Sequence, residues 1–223
     1  MRNEIVLMSD PEVAAVPVDE CGERLVDVRE GGRLLVDERK WHDEAGAFAH
    51  LRERVLERIV EAQELLPAGM RLLYVEGYRP PDLQRRYFEE YAAQLRAEHP
   101  EWTAEQIRSA ASRYVSPPEI APHSAGAAVD LTLADDDGHE LDMGTRMNAT
   151  PEESAGACYT GADTITPEAR ARRDVLGGVL TAAGLVNYPT EWWHWSYGDR
   201  YWALTTGAAA ARYGPKSLDR PAH

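Results

Sequence analysis

A chain of 223 residues with 43% hydrophobic and 28% charged side chains carries enough apolar material for one domain with a substantial core, or at most two small ones. Its net charge of -14 argues against nucleic-acid binding, which needs a basic footprint. No apolar run approaches the roughly 20 residues that span a bilayer, and the stretch from Met1 to Pro11 is too short in apolar residues for a signal peptide, so a cytoplasmic protein with no membrane partner is expected.

Cys21 and Cys158 fit two unlinked thiols in a reducing compartment, with a single disulfide as the alternative. Residues 1–45 read as short strands and turns. Leu25-Val26-Asp27-Val28 and Leu34-Leu35-Val36-Asp37 flank Gly31-Gly32, and two extended runs across a Gly-Gly pair predict a hairpin. Trp41 and His42 follow in a polar context that suggests no role.

From Ala47 to about Leu66, the residues Phe48, Leu51, Val55, Ile59, Ala62 and Leu66 recur at helical spacing, which predicts a helix ended by Pro67-Ala68-Gly69. Arg71 to Gly77 then reads as a buried strand running into Tyr78-Arg79-Pro80-Pro81. The prolines stop the strand and suit entry to a helix near Asp82, so Arg79 sits at a strand end in a stiffened turn. Thr103 and Gln106 have the spacing of a capping box. Ser116-Pro117-Pro118 breaks the following helix, and an irregular loop delivers His123.

Ala127 to Leu133 reads as a strand, with Val129, Leu131 and Leu133 on one face and Ala128, Asp130 and Thr132 on the other. Asp135-Asp136-Asp137-Gly138 lacks the alternating ligands and twelfth-position glutamate of a calcium loop and reads as a solvated turn. Residues 144–165 form a long loop without periodicity. Thr166-Pro167-Glu168 opens what the pattern gives as the last helix, with Val175, Leu176, Val179, Leu180 and Ala183 as its apolar stripe. Leu185 to Tyr188 is a short strand, and Tyr201-Trp202-Ala203-Leu204 one more strand or turn. From about residue 206 to 223 a flexible tail is expected.

Two short patterns carry chemistry. His123 and Asp130 lie seven positions apart, a loop residue and a strand residue joined by a turn at Gly126. In Glu191-Trp192-Trp193-His194-Trp195 a carboxylate stands three residues before a histidine. Catalytic zinc takes three protein ligands and keeps a fourth position for water. A His123, Asp130 and His194 set would leave the ion net positive and so lower the pKa of that water. Glu191, kept partly dry by tryptophan, could take the water's proton and pass it to a leaving amine, and Arg79 could stabilise the developing oxyanion. Each spacing alone is weak evidence, because loop histidines are rarely ligands and tryptophan runs are more often core.

The stretches Glu76-Gly77-Tyr78-Arg79-Pro80, His123 to Leu133 and Asn187 to Ala203 resemble the zinc D-alanyl-D-alanine dipeptidases of the VanX type, in peptidase family M15, subfamily D. The resemblance runs from about Leu51 to Ala203 and is less clear over residues 1–45. It implies an α+β fold with a mainly antiparallel central sheet flanked by helices, shared with D,D-carboxypeptidases and the Hedgehog signalling domain. It also implies one zinc ion held by His123, Asp130 and His194, a base at Glu191, a transition-state arginine at Arg79, and hydrolysis of the small dipeptide D-Ala-D-Ala in a single domain over residues 1–205.

Two departures stand out. Ala121-Pro122 replaces the family's hydroxyl residue before the first zinc histidine, and Asn148 replaces an aspartate near the substrate amine, which puts strict D-Ala-D-Ala preference in question. Asn148, Ser124 and Trp192 are the candidates for touching substrate. The competing readings are a D,D-carboxypeptidase acting on a longer peptidoglycan stem and a metal-stabilised binding module on the same fold. Retention of Glu191 and Arg79 argues against the latter.

Overall fold

The structure is a computed structural model and describes residues 5–37 and 46–218; Trp41 and His42 lie outside them. In chain order the elements are α1 (Pro11–Ala15), β1 (Leu25–Asp27), β2 (Leu35–Val36), β3 (His50–Arg52), α2 (Glu53–Glu64), β4 (Arg71–Glu76), α3 (Pro81–Glu98), α4 (Ala104–Ala111), β5 (Ala128–Ala134), α5 (Pro167–Ala182), β6 (Val186–Asn187), β7 (His194–Ser196) and α6 (Arg200–Thr206). The fold is α+β. A five-stranded sheet runs in the order β2-β4-β5-β7-β6, with only the β2–β4 pair parallel.

Val129, Leu131 and Leu133 of β5 enter the main core as the alternation predicts, together with Leu72 and Tyr74 of β4, Val55, Leu56 and Ile59 of α2 and Leu176 and Leu180 of α5. Each such fully buried aliphatic side chain contributes about 1.5–3 kcal/mol. A second cluster joins Tyr91 and Leu95 of α3 to Ile107 and Ala111 of α4. The capping box at Thr103 is formed, with Gln106 returning a bond to the Thr103 amide. Asp135 to Gly138 is a turn, with Gly138 at φ 86° and a bridge joining Ala134 to Glu140. Cys21 and Cys158 are unpaired. No helix among the described residues is long and apolar enough to cross a membrane.

Four local expectations change. Gly31 and Gly32 do make a left-handed turn (φ 83° and 61°), but its flanks separate. β1 pairs antiparallel with β3, while β2 pairs parallel with β4, because each finds a buried partner elsewhere. The helix predicted from Ala47 begins at Glu53. Gly46 is left-handed, and Ala47–Ala49 form a short 3-10 helix before β3, whose ladder to β1 occupies the backbone. Tyr201 to Leu204 lie in α6, since Asp199 accepts from the Tyr201 and Trp202 amides and Gly207 closes the helix at φ 73°.

The segment after Thr206 differs from the expected tail as far as Leu218. Val18 bridges Ala211, Tyr213 is buried against Tyr197, and the Lys216 amide donates to the Ser124 carbonyl.

Candidate active site

Asp130 occupies the middle of β5, directly opposite His194 on β7. On its other side it pairs with Glu76 of β4, across a break in register between Tyr74 and Glu76. In a regular strand Tyr74 and Glu76 would share a face. The break lets Tyr74 pair with core-facing Leu131 and Glu76 with site-facing Asp130. A β-bulge thus moves a carboxylate from the core side to the site side of the sheet.

His123 opens the 3-10 helix His123–Ala125, which Gly126 ends in the left-handed region at φ 66°. A Cβ on Gly126 would also lie 2.3 Å from Leu25 Cδ2, so glycine is required twice over. His123 Nδ1 donates to the Gly77 carbonyl at 2.6 Å, which leaves Nε2 facing Asp130 Oδ1 at 3.4 Å. His194 Nδ1 lies 3.1 Å from the same oxygen. The ligating atoms of the three residues all fall within 4.8 Å of one another, and all three residues are buried.

This donor set fits a divalent cation. Two imidazole nitrogens converge on one carboxylate oxygen, and the opposite nitrogen of His123 is tied to a backbone carbonyl, as in metal-ligating histidines generally. Burial pushes His194 down, toward the neutral form that a ligand needs. Burial raises Asp130, but the neighbouring imidazoles of His123 and His194 overcome it and hold the carboxyl well below its usual range. His194 Nε2 is buried without a hydrogen-bond partner among the described residues.

Glu191 Oε2 is 3.8 Å from His194 Nδ1. Burial, then the charge of Asp130, raise the Glu191 carboxyl well above the ordinary carboxylate value, against a smaller pull from Arg79. A carboxylate so placed can accept a proton near neutral pH.

Arg79 follows β4 directly. Its amide donates to the His123 carbonyl (3.2 Å), its Nε to Glu76 Oε1 (2.8 Å) and its Nη1 to Gln84 Oε1 (2.9 Å). Gln84 is buried in the first turn of α3, and its Nε2 donates to the Ser116 carbonyl at 2.7 Å. The guanidinium is therefore clamped from both ends.

Arg79, His123, Asp130, Glu191 and His194 line one cavity of about 510 Å³. Asn148 also lines it, in the left-handed region at φ 60°, with its carbonyl accepting from the Tyr114 hydroxyl. Ser124 and Trp192 do not. Ser124 Oγ donates to the Arg79 carbonyl, and the buried Trp192 indole donates to Thr145 Oγ1. Sequence reasoning passed over Glu76, Gln84, Tyr114 and the Gly77 carbonyl. Only Gln84 had a usable signal, a polar residue on the otherwise apolar side of α3.

A model of the peptidase M15 family, described as D-Ala-D-Ala dipeptidase, matches residues 40–209, which enclose every residue of the cluster. The chain belongs to this family. It is accordingly a metallopeptidase of the dipeptidase class. A D-alanyl-D-alanine dipeptidase of Synechocystis sp. is 30% identical over 226 residues, covering 85% of this chain and 87% of that protein. A D-alanyl-D-alanine dipeptidase of Escherichia coli is 38% identical over 72 residues, 32% of this chain and 35% of that one. Among solved structures, a vancomycin-resistance D,D-pentapeptidase, VanY, in complex with Zn(II) shares 19% identity at a TM-score of 0.38, over 73% of this chain and 80% of that chain.

Proposed function

We propose that this peptidase is a zinc-dependent dipeptidase that hydrolyses D-Ala-D-Ala to two molecules of D-alanine. The observation that carries the reading is the convergence of His123 Nε2 and His194 Nδ1 on Asp130 Oδ1 beside a buried carboxyl of raised pKa. Family membership and the names of its relatives supply the substrate class.

In this mechanism His123, Asp130 and His194 hold the ion. Zinc bound by two imidazoles and one carboxylate supplies a Lewis acid that acidifies a water and polarises the scissile carbonyl. Glu191 Oε takes the proton from the attacking water and returns it to the amine nitrogen as the C–N bond breaks. Dryness around Glu191 keeps its basicity high enough for the first transfer and its acidity high enough for the second. Arg79, fixed by Glu76 and Gln84, directs its guanidinium charge toward the developing oxyanion without reorganising during the reaction.

Asn148 on the cavity wall is a neutral hydrogen-bonding partner for the substrate's amino end. Such a contact is weaker than a carboxylate–ammonium pair, so selectivity for a free N-terminus is expected to be modest.

The test is amino-acid release from D-Ala-D-Ala, L-Ala-D-Ala, L-Ala-L-Ala and N-acetyl-D-Ala-D-Ala by zinc-loaded protein, with and without chelator. Chelator-sensitive cleavage of D-Ala-D-Ala that falls by roughly 10²–10⁴-fold in Glu191→Ala, with zinc still bound, is the expected result. Absence of cleavage of every peptide by fully loaded protein would overturn the proposal.

A further inference from the structure

Between β5 and α5 the chain makes a long excursion without strand or regular helix, and it supplies Arg146, Asn148, Thr150 and Glu153 to the cavity wall. A segment of this length has carbonyl groups that no ladder satisfies, and these need partners when buried. The partner is one side chain. Arg173 of α5, 3% exposed, donates from Nε to the Met143 carbonyl (2.7 Å), from Nη1 to Tyr159 (2.9 Å) and from Nη2 to Ala157 (2.9 Å).

The two ends of the excursion are thereby drawn to a single guanidinium. The same guanidinium stacks 5.4 Å from the centroid of the Trp192 ring. Trp192 is in turn tied to the excursion, through its indole to Thr145 Oγ1 (2.9 Å) and through its amide to the Cys158 carbonyl (3.1 Å). It is also the residue next to Glu191. On the far side Tyr91 and Arg113 hold Glu152, and the Tyr114 hydroxyl holds the Asn148 carbonyl.

We propose that Arg173 is a positioning residue that fixes the 143–159 excursion as the specificity wall of the active-site cavity, with Trp192 as the seat between that wall and Glu191. The planar fork of arginine suits three carbonyls in three directions, a task that the single ammonium of lysine does not reproduce. Arg173 lies outside the cavity lining, so it acts on substrate only through the wall it holds. The kinetic part of this proposal rests on the dipeptidase reading above; the structural part does not.

Two measurements on the full-length, zinc-loaded chain test it. In amide hydrogen exchange, the wild-type excursion should be protected, and Arg173→Lys should speed exchange over residues 144–159 by at least about tenfold while the β5 and β7 amides are unchanged. In kinetics with D-Ala-D-Ala, Arg173→Lys should raise KM by roughly tenfold or more with kcat within about threefold, and narrow the preference for free over N-acetylated dipeptide. Zinc stoichiometry should stay at one.

Unchanged exchange in the variant, or a fall in kcat at constant KM, would overturn the proposal. If the variant fails to fold, rapid exchange of this excursion in the wild-type protein would overturn it equally well, and protection there would support it. The exchange result needs no substrate, so a protein that cleaved no dipeptide would sink the proposed function and leave the role of Arg173 to be decided separately.

Discussion

Asp130 and His194 are directly paired residues of antiparallel strands, and Asp130 Oδ1 and His194 Nδ1 stand 3.1 Å apart. Two of the three candidate ligands therefore sit on rigid sheet backbone, while the third, His123, is fixed by its bond to the Gly77 carbonyl. Asp130→Asn keeps the size of the side chain and removes its charge. Zinc affinity should fall by more than the roughly 10–100-fold that an outer hydrogen-bond partner costs. Titration with a competing chelator measures this, and near-normal affinity would remove Asp130 from the ligand set.

Glu191 connects activity and stability through pH. Its carboxyl is raised above the ordinary value of 4.5 by burial and by Asp130. In metal-free protein the folded state binds this proton more tightly than the unfolded chain does. The resulting stability is fully present below the unfolded value and is lost as pH rises through the folded one. Glu191→Gln, measured in chelator, should therefore raise the melting temperature at pH 8 and leave it nearly unchanged at pH 4. In the loaded enzyme the neighbouring cation favours the charged carboxylate, so the activity profile should keep an acid limb that belongs to this group. A melting-temperature difference independent of pH would contradict the assignment.

Arg79 depends on Gln84 for its direction. Arg79→Ala should lower kcat by roughly 10²–10³-fold, the usual cost of losing an oxyanion donor. Gln84→Ala should lower kcat by a smaller factor, on the order of tenfold, with little change in zinc binding. Arg79→Lys should not restore the rate, because a point charge cannot keep both the Glu76 and Gln84 bonds. Steady-state kinetics on the three variants check the order, and full activity in Gln84→Ala would break the link.

Gly77 has no room for a side chain. A Cβ there would lie 2.1 Å from the Tyr74 hydroxyl oxygen and 2.5 Å from the His50 carbonyl. Gly77→Ala must push the bulged end of β4 away from β3, and with it the carbonyl that orients His123. Weakened zinc binding together with a lowered melting temperature is expected, whereas a purely structural glycine would affect stability alone.

Tyr213 reports on the C-terminal segment. It is 1% exposed, packs near Tyr197 and the Arg52 guanidinium, and its hydroxyl donates to Glu23. Tyr213→Ala should cost about 3 kcal/mol or more in a urea unfolding experiment, in the range of large-to-small core substitutions. A loss under about 0.5 kcal/mol would mean that the segment is not part of the cooperative unit.

Much of this molecule could be read from local pattern alone. The alternation from Ala128 to Leu133 separated Asp130 from the core face, the Thr103 capping box marked α4, and the histidines, Asp130, Glu191 and Arg79 were recognisable as residues that end up around one cavity. These depend on near neighbours in the chain, where periodicity and turn chemistry decide. Other features were decided only by the tertiary structure. The partners of the strands beside Gly31-Gly32 depend on buried surfaces far along the chain. The helical rhythm that begins at Phe48 served a 3-10 helix and a strand before it served α2. Glu76 reaches the site only because a bulge shifts register between Tyr74 and Glu76, and no one-dimensional pattern encodes that shift. Arg173, an unremarkable polar residue within the pattern of α5, is buried because three carbonyls of a distant excursion need a donor. Pairing, register and the satisfaction of buried backbone are non-local quantities, set by which groups water is excluded from once the whole chain has packed.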